Sequence, residues 1–458
     1  MKKYIAAGLT SALVLMSACQ DNPVSPSRDR VVAGSEQTLQ SLVTGIVQSD
    51  RSNRSGTNAA IMARDAIVPN ANEQRTLTEF YVTPPDPSDF IGSSSWAGLY
   101  AQLRATKDLL KSAGFNALST SDQAITRGFV NTLGASAYIR LIELRDDNGI
   151  VIQGDSSAVT DPIRTKASAL AYMSALLDSA YTDLNAGSAA VPFILPSGYQ
   201  LHGDYTTKAS LLQFNRGLKG KVEVMRALDP ANPNAGSAAA AVTALNIALA
   251  DAPATFDQDY LDMGPWYQYN PSAPESSFNP LQGSTNYVTQ NFVDSVKAGD
   301  LRAAEIIPAK KTTVAGYSAQ WRLAFTDPSN AALQSSPVPM YRNAEFLLLR
   351  AQAEIATNDL PGATRDINAV HTVEGGLPAY ATFTTADAAI AAVLYEYRYS
   401  FAYFGAQHLV ALREYGMMNA AYLGQPGMPA YQVIVAKLPI PLAEVNSRGG
   451  DITPVPYP

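Results

Sequence analysis

The chain has 458 residues, with 33 Lys and Arg against 40 Asp and Glu, and a formal net charge of −7. Its 47% of hydrophobic residues can form a large core, which excludes a globally disordered chain. The acidic balance argues against nucleic acid as a partner. One cysteine and three scattered histidines (His202, His371 and His408) leave no basis for a metal cluster, thiolate catalysis or an intrachain disulfide, and no cofactor is expected.

The first 18 residues have the layout of an export signal. Lys2 and Lys3 give a basic start, and residues 5–16 form an apolar stretch too short for a permanent membrane helix. Two small residues then precede Cys19, which is the pattern of a bacterial lipobox, where the cysteine is acylated and the peptide is cut before it. The alternative is a general secretory signal with an incidental cysteine. We predict a lipoprotein signal peptide over residues 1–18 and lipidation of Cys19.

The segment after the signal differs from the rest of the chain. Residues 19–34 are mostly polar and contain two prolines, which is typical of a flexible tether. No later segment has about 20 uninterrupted apolar residues, so we expect a membrane-tethered chain rather than a membrane-spanning one. Residues 35–458 are predicted to form one domain, divided into N-terminal helical hairpins (35–252), an aromatic-rich loop region (253–335) and a C-terminal region (336–458).

Helical periodicity dominates these 424 positions. Apolar residues recur every three or four positions in six segments, namely 96–110, 129–141, 170–184, 211–225, 344–370 and 390–404. Pro361 follows Asn358 and Asp359 inside the fifth segment, and so short a connection makes its two helices antiparallel neighbours. Strand signals are few, at 149–153 and 433–438. We predict a mainly α fold of stacked, tetratricopeptide-like helix hairpins with long irregular loops.

Two proline-rich segments interrupt the helical pattern and are predicted to be loops. They cover residues 66–95 and 253–335. A structureless segment as long as the second is normally functional. It holds eight aromatic residues between positions 256 and 292, a density well above the 9% of the whole chain. The enrichment indicates where a ligand would bind.

The aromatic segment has the residue types that bind sugars. A flat ring covers the apolar C–H face of a sugar, and neighbouring amides bond its hydroxyls. The candidate ligand-binding residues are Trp266, Tyr267, Tyr269, Asn270, Tyr287 and Tyr81. Two alternatives stay open, since these rings could form the core of the loop itself or a contact with a partner protein. Trp96 lies on an amphipathic helix and is predicted to be core.

Catalysis has little support in the sequence. A glycosidase needs two carboxylates at a defined separation. The pairs Asp259/Asp262 and Asp86/Asp89 have spacings that are common on protein surfaces. The histidines lack the serine and aspartate context of a catalytic triad. We therefore predict that the protein is not an enzyme.

Four motifs after residue 340 resemble the SusD/RagB family of outer-membrane lipoproteins. Residues 340–354, MYRNAEFLLLRAQAE, resemble the family's R-x-A-E-x-x-L-x-x-A-E-A helix. The other three motifs are Asn368-Ala369-Val370-His371, Glu396-Tyr397-Arg398 with Phe404-Gly405, and Pro439-Ile440-Pro441 with Glu444. Upstream, Trp96 and Tyr100 also fit the family pattern, whereas Phe404 stands where the family has an acid.

The resemblance implies both a fold and a role. It implies a SusD-like fold over nearly the whole mature chain, in a non-enzymatic lipoprotein of the outer membrane that faces the cell exterior. Such proteins capture glycans and pass them to a TonB-dependent transporter of the SusC type. The expected partners are thus a glycan, that transporter and the membrane through the lipid anchor. Capture of peptides and a helical scaffold that binds another protein remain as alternatives.

Substitution of Cys19 by Ser tests the predicted anchor. Because the thiol is the acylated group, we expect Cys19→Ser to abolish labelling by radioactive palmitate and to leave the precursor uncleaved by the lipoprotein peptidase. Labelling is measured on protein precipitated from cells, with the unsubstituted chain as reference. Equal labelling of the two proteins would contradict the prediction.

Overall fold

The structure is a computed structural model that describes residues 35–52, 56–154, 161–272, 277–424 and 433–456. The predicted signal peptide, Cys19 and the tether lie outside the described residues. Within those ranges the α-helices are α1 (Ser35–Ser52), α2 (Gly56–Met62), α3 (Arg75–Tyr81), α4 (Trp96–Lys111), α5 (Ala113–Asn116), α6 (Thr120–Arg145), α7 (Lys166–Ala186), α8 (Lys208–Ala227), α9 (Ala235–Ala248), α10 (Gln258–Asp262), α11 (Gln290–Asp294), α12 (Asn343–Ala356), α13 (Leu360–Val373), α14 (Ala386–Ser400), α15 (Gln407–Glu414), α16 (Ala420–Leu423) and α17 (Leu442–Ser447). None of these helices combines the length and the hydropathy needed to cross a membrane.

The strands are short except for one hairpin. They are β1 (Ala66–Ile67), β2 (Ile150–Val151), β3 (Ile163–Arg164), β4 (Trp266–Tyr267), β5 (Tyr287–Val288), β6 (Ile306–Val314), β7 (Tyr317–Leu323) and β8 (Val338–Pro339). They form one four-stranded antiparallel sheet in the order β1-β5-β7-β6 and two small antiparallel pairs, β2-β3 and β4-β8.

The mainly α prediction is confirmed. Each of the six periodic segments contains a helix. Consecutive helices pack against one another along α6, α7, α8 and α9, and again in α12 and α13. The first backbone amides of a helix have no acceptor within the helix, and at the start of several helices a side chain accepts their hydrogen bond. Ser119 accepts a hydrogen bond from the Asp122 amide, Thr165 does so from Ser168, and Asp359 from Gly362. Local sequence thus sets where these helices begin.

Helix α6 lies at the centre of the N-terminal half. Its residues are buried on every side from Ala124 to Arg145 apart from Arg127 and Asn131, so it lacks the single apolar face of a surface helix. It packs against α4, α7 and α8. A helix this enclosed must have partners for its charged residues, because an unpaired buried charge is strongly destabilising.

Lys221 of α8 supplies one of those partners. Its ammonium lies 2.5 Å from the Glu143 carboxylate of α6 and 3.0 Å from the Glu345 carboxylate of α12, and all three side chains are buried. Burial by itself would lower the pKa of Lys221, but the two carboxylates raise it above its ordinary value. Burial also raises the pKa of Glu345, against the opposing effect of Lys221. The ion triad therefore joins three helices that are far apart in sequence.

Three sequence-based predictions were wrong. The segment 66–95 was expected to be loop but contains β1 and α3, the segment 253–335 contains β4 to β7 with two short helices, and 433–438 is not a strand. Pro308 of the second segment lies on β6, which is an edge strand of the sheet, and edge strands are where proline is tolerated. The hairpin turns at Ala315 and Gly316, both with positive φ, as a two-residue β-turn of this kind requires.

Removal of the Lys221 ammonium should be strongly destabilising. Lys221→Met leaves Glu143 and Glu345 as buried carboxylates without their shared cation, so we expect the free energy of unfolding to fall by about 3–5 kcal/mol. Chemical denaturation followed by circular dichroism measures it. The control is Lys111→Met at an exposed position of α4, which should change stability by less than about 0.5 kcal/mol. Equal stability of the two variants would contradict the role of the triad.

Candidate functional site

Trp266 lies at a point where side-chain direction is fixed by strand pairing. Strand β4 pairs with β8, with Trp266 opposite Pro339 and Tyr267 opposite Val338. Successive side chains of a strand point to opposite faces. Tyr267 is accordingly buried and Trp266 is partly exposed.

Tyr267 is anchored in a buried network around Asp50. Its hydroxyl donates to the Asp50 carboxylate at 2.8 Å, the Gln102 amide donates to the same carboxylate at 2.7 Å, and the Arg140 guanidinium forms an ion pair with it. Asp50 is fully buried. The network fixes β4 against α1, α4 and α6, and thereby fixes Trp266 on the opposite face.

Two further contacts hold the Trp266 indole. Its Nε1 donates to the Asp262 carbonyl at 3.0 Å, and the His202 ring lies against it with a centroid distance of 4.6 Å and an interplanar angle of 36°. The turn that contains Gly198 approaches β4 so closely that a Cβ at position 198 would lie 2.1 Å from the Trp266 carbonyl oxygen. Position 198 therefore requires glycine. The indole is oriented before any ligand arrives.

A cleft of about 340 Å³ opens on one side of Trp266, and we call it the aromatic cleft. Phe325 and Phe404 stack in its wall with a centroid distance of 4.8 Å. The rings that line it come from four parts of the chain and are Trp266, Phe292, Phe325, Tyr399 and Phe404. Its polar lining includes Gln258, Asp262, Arg302, Glu305, Arg342, Glu374 and Ser400.

The charges of the aromatic cleft are largely compensated. Buried Arg342 pairs with Asp262 at 3.2 Å and with Glu374, and it donates to the Ser400 carbonyl at 2.7 Å. Burial would lower the pKa of Arg342, but the two carboxylates hold it above its ordinary value. The cleft thus combines apolar rings with hydrogen-bonding groups that are fixed in place, a composition that suits a neutral polyol ligand.

A second depression, the α1 groove, lies on the other side of Trp266. It measures about 200 Å³ and is lined by α1, the segment 194–199 and residues 266–268. The Gln40 side chain bonds both the amide and the carbonyl of Ile194, at 2.8 and 3.0 Å. Ile194 is 80% exposed. Trp266 is shared by the groove and the aromatic cleft.

The other predicted ligand-binding residues have different positions. Asn270 is exposed four residues after Trp266, and its side-chain oxygen accepts from the Ser272 amide at 3.0 Å. Tyr269 is 3% exposed and lies beneath the Arg51 guanidinium. Tyr267, described above, is likewise buried. Trp266 and Asn270 are therefore the accessible members of the predicted group within 266–270.

The two remaining tyrosines are core residues. Tyr287 of β5 donates to the Lys310 carbonyl at 3.0 Å, and Tyr81 is fully buried with the Arg64 guanidinium 3.7 Å from its ring centroid. Neither lines the aromatic cleft or the α1 groove. Tyr287 corresponds to the alternative in which the aromatic residues of 253–335 form the core of that segment, whereas Tyr81 packs edge to face on Tyr317 of β7. Ligand binding by these residues has no geometric support here.

Sequence reasoning missed several residues of the site. Phe292, Phe325, Tyr399 and Phe404 come from distant elements, and only the fold brings them to Trp266. Trp96 was predicted to be core and is buried, at 5% exposure, but it also lines a third cavity beside α4. In the sequence, the signal for that cavity was the placement of Trp96, Tyr100 and Arg104 at every fourth position of the helix.

The histidines have structural partners. His371 contacts the Glu396 carboxylate and His408 contacts the Asp65 carboxylate, each at 2.6 Å and each buried. In the described ranges no group of three His, Cys, Asp or Glu residues is arranged to hold a metal ion. His202, the third histidine, packs on Trp266.

Comparison with known proteins identifies the fold. No protein-family model and no curated protein matches the chain. Solved structures do match. A SusD superfamily protein from Parabacteroides distasonis shares 14% identity with a TM-score of 0.69, covering 91% of this chain and 98% of its own. The surface glycan-binding protein A from Bacteroides thetaiotaomicron, in complex with laminarihexaose, shares 13% with a TM-score of 0.68, covering 91% and 99%.

A third structure, with xylogluco-oligosaccharide, shares 14% identity with a TM-score of 0.67 and covers 92% of this chain and 99% of its own. At these identities the likeness establishes a shared fold. The SusD-like fold expected from the C-terminal motifs is confirmed.

A pair of tyrosine substitutions tests the Asp50 network. Tyr267→Phe removes a donor from the fully buried Asp50 carboxylate, so we expect the free energy of unfolding to fall by about 1–3 kcal/mol. Tyr199→Phe is the matched control, because the Tyr199 hydroxyl is buried without a hydrogen-bond partner in the described structure. Its removal should be neutral or slightly stabilising. Urea denaturation measures the free energy of unfolding of both variants. Equal losses in the two would contradict the stabilising role of the Asp50 network.

Proposed function

We propose that this protein, which has the SusD-like fold, captures glycans at the aromatic cleft, with Trp266 as the ring that covers a sugar face. The observation that carries the proposal is the geometry of Trp266 itself. The indole is partly exposed, oriented by Asp262 and His202, and opens into a cleft with further rings and hydrogen-bonding groups. Sugars are bound by this combination of a flat apolar surface and adjacent polar groups.

The fold comparisons support the ligand class. Two of the structurally similar proteins were solved with laminarihexaose and with xylogluco-oligosaccharide. Function depends on the site rather than on the fold alone. The support from these structures is therefore an analogy, and the cleft residues of this chain provide the direct argument.

The carboxylates of the cleft favour binding over hydrolysis. Glycoside hydrolysis requires one carboxylic acid and one carboxylate on opposite sides of the scissile bond. Of the three carboxylates in the lining, Asp262 and Glu374 both pair with Arg342. Glu305 alone is left for acid–base work. We therefore propose capture without cleavage.

The cellular role follows from the sequence motifs. We propose that Cys19 carries the lipid anchor on the outer membrane, that the protein faces the cell exterior, and that it hands the glycan to a TonB-dependent transporter. The resemblance of residues 340–354 and of the lipobox to the SusD/RagB pattern supports this role. A gene for such a transporter next to the gene of this protein would add support.

A glycan panel tests the proposed capture. The purified protein is incubated with soluble neutral polysaccharides and oligosaccharides, and both the depletion of each glycan and the length of the recovered chains are measured. We expect depletion of at least one glycan with its length unchanged. Shortened products would show an enzyme, and retention of peptides with no glycan bound would contradict the ligand class.

Trp266→Ala locates the binding site. Loss of a stacking ring should weaken affinity for the retained glycan by about 1–3 kcal/mol, or roughly 5- to 150-fold. Because the indole is partly exposed, the loss of stability should stay well below the ~3–5 kcal/mol typical of a buried tryptophan. Calorimetry measures affinity and denaturation measures stability.

The control for this substitution is Tyr181→Ala on α7, a partly exposed ring that lies outside both the aromatic cleft and the α1 groove. It should bind the glycan like the unsubstituted protein. Normal binding by Trp266→Ala, or a stability loss as large as that of a core tryptophan, would overturn the assignment of the site.

A further inference from the structure

The cavity beside α4 is larger than the aromatic cleft and the α1 groove, and Trp266 is not part of its lining. It measures about 490 Å³, within the range of small-molecule sites. One wall is α4, which presents Trp96, Tyr100 and Arg104 at successive turns. The opposite wall is formed by residues 441–448, with Val151, Gln153 and Asp161 at the side. It shares no lining residue with the aromatic cleft or the α1 groove.

The end of this α4 cavity at Trp96 and Tyr100 is held in place by several contacts. Trp96 and Tyr100 meet edge to face with ring centroids 4.8 Å apart, and the Arg145 guanidinium lies 5.5 Å from the Trp96 ring. The indole Nε1 is 3.3 Å from the Glu444 carboxylate, which in turn pairs with Arg448. The charges at this end are therefore already matched to one another.

The other end has two polar groups without partners. Arg104 is exposed at the cavity wall, and within the described ranges its guanidinium forms no hydrogen bond or ion pair. The Gln153 side-chain oxygen is buried and accepts no hydrogen bond in the described structure. Because buried polar atoms in native proteins are nearly always paired, an acceptor without a partner in a cavity wall is a candidate for a hydrogen bond from a ligand.

These two groups lie at the same end of the cavity. Lys107, one turn after Arg104 on α4, donates to the Gln153 carbonyl at 2.6 Å, which holds Gln153 beside that turn. Asp161 is next to it, accepting from the Gly154 amide at 2.7 Å. From Trp96 to Arg104 the helix rises about 12 Å, at 1.5 Å per residue. A ligand of that length can reach both ends.

We propose that the α4 cavity binds an acidic saccharide, with Arg104 receiving a uronic-acid carboxylate, the Gln153 oxygen accepting from a sugar hydroxyl, and Trp96 with Tyr100 lining the apolar face. The guanidinium fork matches a carboxylate in two parallel hydrogen bonds. The ligand class rests on the proposed glycan capture, whereas the cavity and its unpaired groups do not depend on the Trp266 site.

The polar groups favour a saccharide over a peptide. Apart from the matched pair Glu444 and Arg448, the cavity wall has two acceptors, Gln153 and Asp161, and one free cationic donor, Arg104. Sugar hydroxyls donate to such acceptors. A peptide would bring carbonyl oxygens that need donors, and these would be left unpaired at a cost.

A matched ligand pair tests the proposal. The purified protein is titrated calorimetrically with trigalacturonate and with its methyl ester, which keeps the hydroxyls and removes the charges. We expect the acid to bind at least about tenfold more tightly than the ester, and this preference to shrink as salt screens the exposed Arg104. No preference for the acid would overturn the proposal.

Three variants assign the residues. Arg104→Gln should remove the acid preference, whereas Lys111→Gln, an equal loss of charge at an exposed position of the same helix and outside the cavity, should keep it. Gln153→Leu should weaken acid and ester alike by about fivefold without loss of stability, since its oxygen has no partner to lose. Retention of the preference in Arg104→Gln, or unchanged binding in Gln153→Leu, would overturn the assignment.

The Trp266→Ala protein separates this proposal from the proposed function. It should keep the acid preference at the α4 cavity even though its affinity for the neutral glycan falls. A protein that binds neutral glycans but not trigalacturonate would overturn the α4 site alone. A loss of the acid preference in Trp266→Ala would also overturn it, because the two sites would then be one. A peptide ending in a carboxylate that competes with trigalacturonate better than the ester does would overturn the saccharide class.

Discussion

A single buried carboxylate, Asp50, constrains the part of the protein on which the proposed function depends. Tyr267, Gln102 and Arg140 all reach it from different elements. A buried charge without partners would cost several kcal/mol, so the three segments can come together only in the arrangement that satisfies it. Because Tyr267 points inward to Asp50, its neighbour Trp266 must point outward. The position of the exposed indole is thus a consequence of an interaction in the core.

Similar interactions recur through the helical body. Lys221 joins Glu143 and Glu345, Arg302 joins Asp300 and Glu396, and Arg350 pairs with Asp366. The paired residues are separated in sequence by as little as two positions, in Arg302 and Asp300, and by more than a hundred, in Lys221 and Glu345. Buried charges are therefore largely paired, whereas in the described structure the α4 cavity has an exposed guanidinium, Arg104, and a buried side-chain oxygen, Gln153, that are both without a partner. These two groups can bind a ligand without first breaking an interaction within the protein.

The cavities differ in the ligand chemistry that they offer. The aromatic cleft has several rings and compensated charges, which suits a neutral sugar, whereas the α4 cavity adds a free cation to an apolar wall. The structurally similar proteins share the fold at 13–14% identity. A fold can be retained at such identity because its helices need only apolar faces of the right period and paired buried charges. The residues that line the cavities can change without changing that framework, so each member's specificity must be derived from its own side chains.

The helices and the fold class could be predicted from the sequence, and so could Trp266 as one of several candidate rings of the site. Periodic apolar residues in 96–110 or 211–225 suffice to predict a helix, because a helix is made of local contacts and its capping residues lie within four positions of its end. Which of these aromatic rings are accessible depends on tertiary contacts. Trp266, Tyr267 and Tyr269 are equivalent as sequence, but pairing of β4 with β8 and the distant Asp50 bury one of the first two and expose the other. The β6–β7 hairpin was missed for the same reason, since an edge position that tolerates Pro308 is defined by neighbouring strands. Burial depends on contacts between residues hundreds of positions apart, and local sequence carries no record of them.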